Sequence, residues 1–316
     1  MARAGSSCTT ERGGPRVREV RAARGRAESG GQSARLRELL DQPGILVMPC
    51  CFDALSAKLI ERAGLQLTFM SGFSVAASKA LPDTGLLSYG EMVDQLREIC
   101  AAISIPVIAD GDTGYGNAVN AKRTVRGYAA AGAAGIMIED QVAPKRCGHT
   151  RGKEVVSRDE AVARMRAAVD ARNEIGSDIV IVARTDAAKC VSLDEAIERA
   201  NLFHELGAEI TFVEAPVSES DMRRIARETP GKRLVNCLEG GDTPIYPPEQ
   251  LAEMGFHIAA YPLSLVSASV RAMEQTLQSL KAGRPAEVEA QIKTFPELRA
   301  IVGFDDYYTE EARYKC

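Results

Sequence analysis

Eight short apolar runs rich in β-branched residues recur along the chain, on average about 30 residues apart, which is close to the length of one strand–helix unit in a barrel. Each run is continuous rather than alternating, a pattern typical of strands that are buried on both faces of a parallel sheet. Longer amphipathic stretches with a helical period lie between the runs. The runs begin at Ile45, Leu67, Pro106, Gly135, Ile179, Glu209, Arg233 and His257.

The amphipathic stretches carry the start and stop signals of helices. Ser157 and Ser192 are each followed three residues later by a glutamate, the spacing of a capping box. Glycines that suit a left-handed helix end stand shortly before three of the runs, at Gly64, Gly132 and Gly207. This repetition predicts an α/β fold, the parallel (β/α)8 TIM barrel. A doubly wound open sheet is the alternative, but PCCFDA after the first run is not a glycine-rich turn.

The two ends of the chain lie outside this repeat. Residues 1–33 are rich in Arg, Gly, Ala and Ser, so we expect a disordered tail or a transit segment ahead of a barrel domain over residues 34–316. A transit segment would place the protein in a chloroplast or mitochondrion, and a plain tail would leave it cytoplasmic. After the eighth run, the residues from Ser264 to Gly283 predict a helix, and a helical tail continues to Cys316.

Composition excludes several classes of function. The chain carries 39 Lys and Arg against 43 Asp and Glu, a net charge of −4, so we expect neither nucleic acid nor an anionic membrane as a partner. No apolar run approaches the roughly 20 residues that a membrane-spanning helix needs. The eight cysteines show no C-x-x-C spacing, which favours free thiols in a reducing compartment without structural zinc.

Acidic residues follow the predicted strands at the end where barrel enzymes keep their active sites. Asp110, Asp112 and Glu139 come directly after two of the runs, and Asp83 lies in a loop after another. We expect these four carboxylates to converge with no side chain to neutralise them. An all-oxygen set without histidine suits Mg²⁺ or Mn²⁺. The alternative is that some of the four cap helices or pair with Arg and Lys in loops.

One cysteine differs from the others. Cys147 is flanked by Lys145, Arg146 and His149, so we expect a depressed thiol pKa, and Gly148 lets the backbone bend over a ligand. The chain has no G-x-S-x-G elbow for a serine hydrolase and no G-K-[ST] loop for nucleotide phosphates.

Motifs in a fixed order resemble the isocitrate lyase and phosphoenolpyruvate mutase superfamily over nearly the whole chain from about residue 34. They are S-G at Ser71, P-D-x-G at Pro82, D-x-D-x-G-x-G at Asp110, E-D-Q at Glu139, K-R-C-G-H at Lys145, A-R-T-D at Ala183 and N-x-x-E-G-G-x-T-P at Asn236. The K-R-C-G-H loop is similar to that of the carbon–carbon lyases, including methylisocitrate lyase. The E-G-G-x-T-P stretch is closer to the branch that contains the petal death protein, the carboxyvinyl-carboxyphosphonate phosphorylmutases and the dimethylmalate lyases.

The resemblance implies a Mg²⁺-dependent lyase that cleaves a small 2-hydroxy dicarboxylate or tricarboxylate through a carboxylate enolate. It implies that Asp110 holds the metal, with Asp83, Asp112 and Glu139 acting through water. It also implies catalytic roles for Cys147, His149, Arg184 and Glu214. The implied substrate-binding residues are Ser71, Gly72, Phe73, Gly148, Asn236, Thr243 and Pro262, and at positions 71 to 73 the backbone N–H groups would do the binding.

Three alternatives to a lyase stay open. The alternatives are an oxaloacetate hydrolase, a phosphorylmutase acting on P–C bonds, and a catalytically silent protein that binds a dicarboxylate. Pro262 favours the lyases, because in this group the hydrolases tend to carry Ser there.

The resemblance also implies a tetramer whose barrels exchange their eighth helix.

Overall fold

The computed structural model of this chain describes residues 31–148 and 152–315, and within them the strands form one closed parallel barrel. The barrel closes because β8 pairs with β1 in parallel, with Leu46 opposite Ile258 and Pro49 opposite Tyr261. The predicted (β/α)8 barrel is confirmed. The strands are β1 (Leu46–Cys51), β2 (Thr68–Met70), β3 (Val107–Asp110), β4 (Gly135–Glu139), β5 (Val180–Thr185), β6 (Ile210–Val213), β7 (Lys232–Asn236) and β8 (Ile258–Tyr261).

Helices follow the strands and begin where the sequence predicts. The Ser157 side chain accepts a hydrogen bond from the Glu160 N–H, and Gly132 ends its helix with a left-handed φ of 100°. The helices are α1 (Gln32–Asp41), α2 (Ala54–Arg62), α3 (Gly72–Ser78), α4 (Tyr89–Ala102), α5 (Ala118–Ala131), α6 (Arg158–Glu174), α7 (Ala187–Cys190), α8 (Leu193–Glu205), α9 (Glu219–Glu228), α10 (Pro248–Met254), α11 (Ser264–Lys281), α12 (Pro285–Gln291), α13 (Phe295–Val302) and α14 (Phe304–Ala312).

The core has an inner and an outer layer. The inner layer fills the barrel with alternate strand residues, because successive side chains of a strand point to opposite faces. The outer layer packs the strands against the helices; in α4, for example, Met92 and Leu96 are buried. The inner layer includes Met48, Phe69, Ile108, Met137, Val182, Phe212, Leu234 and Ile258.

α1 covers the end of the barrel where the strands begin. Its Leu36 and Leu40 pack into the inner core, and the Gln32 Nε2 group donates a hydrogen bond to the Ser104 carbonyl at 3.0 Å. The helix starts at Gln32 and Ser33 is buried, two residues ahead of the boundary at residue 34, and the division into a tail and a barrel domain stays a prediction. The prediction for residues 1–30 lies outside the described residues.

The predicted C-terminal extension is present as the helices α11 to α14. Within α11 only Ser279 is buried, and α12, α13 and α14 have no buried residue. These helices nonetheless carry large apolar side chains that are exposed to solvent in the single chain; Phe295, for example, is 72% exposed. The exchange of these helices between subunits stays a prediction.

No helix in the described part of the chain has both the length and the apolar content to cross a bilayer.

Candidate active site

Polar side chains line the carboxyl ends of the strands because the barrel's two-residue period continues past its apolar layers. Each of five residues stands two positions after an inward-facing apolar residue, which places it in the next layer up the barrel. The five are Asp110, Glu139, Arg184, Glu214 and Asn236.

A single cavity at this end gathers most of the predicted site residues. The apolar layer that includes Met137, Phe212 and Leu234 forms its floor. The predicted site residues that line it are Ser71, Phe73, Asp83, Asp110, Cys147, Gly148, Arg184, Glu214, Asn236 and Pro262. Gly72, Asp112 and Glu139 do not line the cavity, but each contacts a residue that does.

Two predicted site residues are not brought to this cavity by the described structure. Thr243 is buried at 4% exposure, but it does not line the cavity. His149 lies outside the described residues, so its predicted catalytic role stays a prediction. Phe212, Leu238 and Leu263 line the cavity and carried no sequence signal beyond being apolar.

Lys145 lies among the four predicted metal carboxylates, so the expectation that no side chain neutralises them is wrong. Its Nζ is 2.6 Å from Asp83 Oδ1 and 2.8 Å from Asp112 Oδ1. Burial lowers the pKa of the Lys145 ammonium, but the carboxylates of Asp112, Asp110, Asp83 and Glu139 outweigh burial and hold that pKa well above its usual range. Pairing with this lysine offsets much of the cost of burying acids together.

Asp110 is fixed at the cavity by two backbone groups. Its Oδ2 accepts a hydrogen bond from the Gly72 N–H at 3.1 Å, and its Oδ1 accepts one from the Asp112 N–H at 3.0 Å. A Cβ at position 72 would lie 2.6 Å from Asp110 Oδ2, so only glycine allows this approach. Asp112 adopts a left-handed φ of 48°, a conformation that aspartate tolerates better than most residues.

The same contacts change the role expected of the backbone at residues 71 to 73. The Ser71 N–H donates to the Cys51 carbonyl at 3.2 Å, and the Gly72 N–H is already bonded to Asp110. The Ser71 side chain caps α3 by accepting from the Ser74 N–H. Two of the three N–H groups that the sequence suggested for substrate binding therefore hold the protein itself in place.

Arg184 is the central cation of the other side of the cavity. Its guanidinium donates to both carboxylate oxygens of Asp186, at 2.9 and 3.1 Å, and lies 3.3 Å from oxygens of Glu139 and Glu214. Burial alone would lower its pKa, but Asp186, Glu139 and Glu214 keep the pKa well above its ordinary value. Arg184 is therefore a permanent positive charge inside the barrel mouth.

Asp186 is held in turn by a buried network that sequence reasoning missed. The Asp140 carboxylate accepts hydrogen bonds from the Thr185 hydroxyl at 2.6 Å, from the Asp186 N–H at 2.9 Å and from Arg199 Nη1 at 3.0 Å. Apart from Arg199, these residues belong to the E-D-Q and A-R-T-D motifs. Membership of those motifs was the one feature of the sequence that could have pointed to the network. Because both oxygens of Asp140 are engaged, the end of β5 is held rigidly beneath Arg184.

The segment that carries Cys147 packs directly against Arg184. A Cβ at Gly148 would lie 2.6 Å from Arg184 Nη2 and 2.8 Å from the Glu214 Cδ, so this position has no room for a side chain. Asn236 completes the wall, since its Nδ2 donates to Glu214 Oε2 at 3.0 Å. Cys147 is half-buried and lines the same cavity as Asp110 and Arg184.

The acids suit a hard divalent cation that is shared with water and a ligand. Glu139 Oε1 is buried and has no hydrogen-bond partner within the described residues, and Asp110 faces the cavity. Among those residues no three acids, cysteines or histidines stand close enough to hold a metal ion by themselves. Mg²⁺ fits this arrangement, because it commonly binds one or two carboxylates and keeps several waters.

A closed parallel barrel with paired acids, a buried arginine and a thiol around one cavity defines a barrel enzyme of the type that works at the carboxyl ends of its strands. Comparison with known proteins then places the chain in one family. Residues 36–281 match the phosphoenolpyruvate phosphomutase family. The chain belongs to this family, within the isocitrate lyase and phosphoenolpyruvate mutase superfamily that the motifs predicted.

Its similarity to individual members covers nearly the full length. It is 43% identical to the chloroplastic carboxyvinyl-carboxyphosphonate phosphorylmutase of Arabidopsis thaliana, over 94% of this chain and 89% of that protein. It is 42% identical to the 2,3-dimethylmalate lyase of Eubacterium barkeri, over 89% of this chain and 98% of that protein. The structure of a phosphonopyruvate hydrolase in complex with oxalate and Mg²⁺ superposes with a TM-score of 0.80 at 30% identity, covering 90% and 99% of the two chains.

The close contact at Gly148 yields a prediction. Gly148→Ala places a methyl group 2.6 Å from Arg184 Nη2, closer than two such atoms can lie, and pushes the guanidinium from its position. Because a misplacement of about 1 Å at a reacting centre can cost roughly 10²-fold, we expect kcat to fall about that far while the melting temperature changes little.

Gly90→Ala is the matched control. Gly90 is exposed in α4, and a methyl group there would lie 3.9 Å from its nearest neighbour, the Ser88 hydroxyl, so alanine leaves kcat unchanged and stabilises the helix slightly. Steady-state kinetics and thermal melts of both variants test whether Gly148→Ala lowers kcat without lowering the melting temperature. A Gly148→Ala enzyme with wild-type kcat would show that Arg184 tolerates displacement.

Proposed function

We propose that this protein is a Mg²⁺-dependent carbon–carbon lyase that cleaves a small 2-hydroxy dicarboxylate or tricarboxylate of the 2,3-dimethylmalate or 2-methylisocitrate type. The observation that carries the proposal is the position of Cys147 on the same cavity as Asp110 and Arg184, with acids on one side and a fixed cation on the other. A carboxylate ligand entering the cavity meets that cation, and its alkyl groups meet an apolar floor.

The similarity to the dimethylmalate lyase and the shape of the cavity support the alkyl-substituted substrate. Met137, Phe212 and Leu234 offer apolar contact to methyl groups, while Arg184 offers a positive charge to a carboxylate. Asn236 and Glu214 hold the wall against which the substrate lies.

Magnesium is the metal that the acids and the comparisons support. The residues that would hold it are Asp110, with Asp112, Glu139 and Asp83 acting through water. When bound, the ion supplies Lewis-acid polarisation of a substrate oxygen. The phosphonopyruvate hydrolase bound to oxalate and Mg²⁺ supports the same ion here, and Mn²⁺ is the substitute to try.

The protein's own residues account for the fate of the carbon skeleton. A carboxylate that lines the cavity takes the proton of the 2-hydroxyl group as the bond between the carbinol carbon and its neighbour breaks, which leaves a 2-oxo acid and a carboxylate enolate. Arg184, held by Asp186, stabilises the negative charge of the enolate. The Cys147 thiol then donates its proton to the enolate carbon, which gives a saturated carboxylate and leaves a thiolate.

Three alternatives remain candidates, and Pro262 bears on the first of them. Pro262 lines the cavity at the position where the resembling hydrolases tend to carry a serine, which disfavours oxaloacetate hydrolysis. A phosphorylmutase is the second candidate, supported by the similarity to the Arabidopsis protein. A silent dicarboxylate-binding protein is the third, and the presence of the thiol, the arginine and the acid cluster in one cavity disfavours it.

A substrate screen tests the proposal directly. We expect turnover with 2,3-dimethylmalate or 2-methylisocitrate in the presence of Mg²⁺, and lower or no turnover with oxaloacetate, citramalate and phosphonopyruvate. A chelator should abolish the activity, and Mg²⁺ or Mn²⁺ should restore it. Cleavage that persists in excess chelator would contradict the metal assignment, and P–C bond chemistry would favour the mutase.

Replacement of the thiol separates chemistry from binding. Cys147→Ser keeps the size but removes a group that donates its proton readily, so kcat should fall by roughly 10²–10⁴-fold while KM stays nearly constant. Cys100→Ala on α4, far from the cavity lining, should change stability rather than kcat. A Cys147→Ser enzyme that keeps more than about a third of wild-type kcat would exclude the acid role, since general acid catalysis contributes about a hundredfold or more.

We also propose that the enzyme is a tetramer whose C-terminal helices pack on neighbouring subunits. The support is the exposed apolar surface of α11 to α14, which no other described element of this chain covers: Val270, Met273, Leu277, Leu280, Ile292, Phe295, Leu298, Val302 and Tyr307. A surface of this kind commonly marks a protein interface. Light scattering should give about four times the chain mass of 33.9 kDa, and a monomer would rule the arrangement out.

A further inference from the structure

Lys153 forms a buried ion pair for which the proposed chemistry has no direct use. Its Nζ lies 2.7 Å from Asp186 Oδ1, and the side chains of Lys153 and Asp186 are 2% and 0% exposed. Lysine is almost never buried this deeply unless it is paired. The burial of both side chains shows that this ion pair is part of the packed interior beside the active-site cavity.

Lys153 shares its carboxylate with Arg184. Asp186 Oδ1 accepts hydrogen bonds from both Lys153 Nζ and Arg184 Nη2, and Oδ2 accepts from Arg184 Nε. The backbone of Asp186 is also held, because its N–H donates to Asp140 Oδ1 at 2.9 Å. The guanidinium plane of Arg184 thus depends on a carboxylate whose orientation Lys153 helps to set.

The charge balance around Arg184 also depends on Lys153. Arg184 is in contact with three carboxylates, those of Asp186, Glu139 and Glu214. With Lys153 present, Asp186 is neutralised from a second side, which leaves more of the Arg184 charge for its other neighbours and for an anionic ligand. Without it, Asp186 would attract the guanidinium alone and add uncompensated negative charge next to the cavity.

Both Gly148 and Lys153 contact the pair formed by Arg184 and Asp186. Gly148 packs against Arg184 Nη2, and Lys153 reaches the Asp186 partner of the same arginine. The backbone at Lys153 is also held, since the Cys190 thiol donates to the Lys153 carbonyl at 3.6 Å. The position of Arg184 against Gly148, the residue next to Cys147, therefore depends on the carboxylate that Lys153 holds.

We propose that Lys153 is a positioning residue that orients Arg184 through Asp186 and so keeps the guanidinium packed against Gly148. The inference rests on the proposed function in so far as Arg184 and Cys147 act on the substrate. Its structural part, the packing of Arg184 against Gly148, is measurable without turnover.

The test compares Lys153→Met with Lys153→Arg in the full-length protein. The methionine keeps the length and loses the charge, so kcat should fall roughly 10²-fold with KM within about threefold, as expected for a displaced catalytic group. The arginine keeps the charge and should recover most of kcat. Lys232→Met is the matched control, because Lys232 pairs with Asp41 at 3.0 Å at the opposite end of the barrel; its kcat should equal that of the wild type.

The second readout is the rate at which iodoacetamide alkylates Cys147, measured by peptide mass spectrometry with Cys100 as the internal reference. Loss of the Lys153–Asp186 pair should displace Arg184 from Gly148 and raise the Cys147 rate about tenfold, since removal of a buried charge partner is strongly destabilising locally and tenfold corresponds to only about 1.4 kcal/mol. The Cys100 rate should not change, because Cys100 lies on α4.

Unchanged kcat and unchanged alkylation of Cys147 in Lys153→Met would overturn the proposal. If Lys153→Met does not fold, Lys153→Gln removes the same charge while keeping a polar side chain, and the same two readouts apply. If the wild type cleaves none of the substrates, the proposed function fails, and the alkylation rates still decide whether Lys153 keeps Arg184 packed against Gly148.

Discussion

Compensation of buried charge governs the carboxyl end of this barrel. Ionised groups that leave water lose several kcal/mol of solvation each, so they persist inside a protein only with partners. Here Lys145 lies between Asp83 and Asp112, and Arg184 lies among three carboxylates. The loops that follow the strands are held by these pairs, and the shape of the cavity follows from them.

The fold was predictable from the sequence because its signals are local. Continuous apolar runs, capping serines and left-handed glycines each report on a few neighbouring residues, and Gly64, Gly132 and Gly207 adopt the positive φ that was expected. The helix α1 itself was not predicted, because the polar residues Gln32 and Ser33 give no apolar signal and Gln32 is held by a hydrogen bond to the distant Ser104. Local patterns cannot report such contacts.

The convergence of most candidate site residues on one cavity was predictable from the sequence, but the pairing of their charges was not. The position of Asp110, Arg184 and Glu214 at strand ends follows from the two-residue period, and the motifs added Cys147 and Asn236. Which cation faces which acid depends on long-range approach, so the sequence could not show that Lys145 enters the acid cluster or that the Gly72 N–H is used by Asp110. The roles of Asp140 and Lys153 were hidden for the same reason.

The helix α1 limits how substrate and products can enter and leave the cavity. Its leucines plug the amino-terminal end, so the floor of the cavity is solid packing rather than a second exit. Under the proposed cleavage, both products would have to leave through the same opening, at the carboxyl ends of the strands. The fragment nearer the opening would leave first, so release would be ordered, and the deeper product would be the one that binds the free enzyme and competes with the substrate.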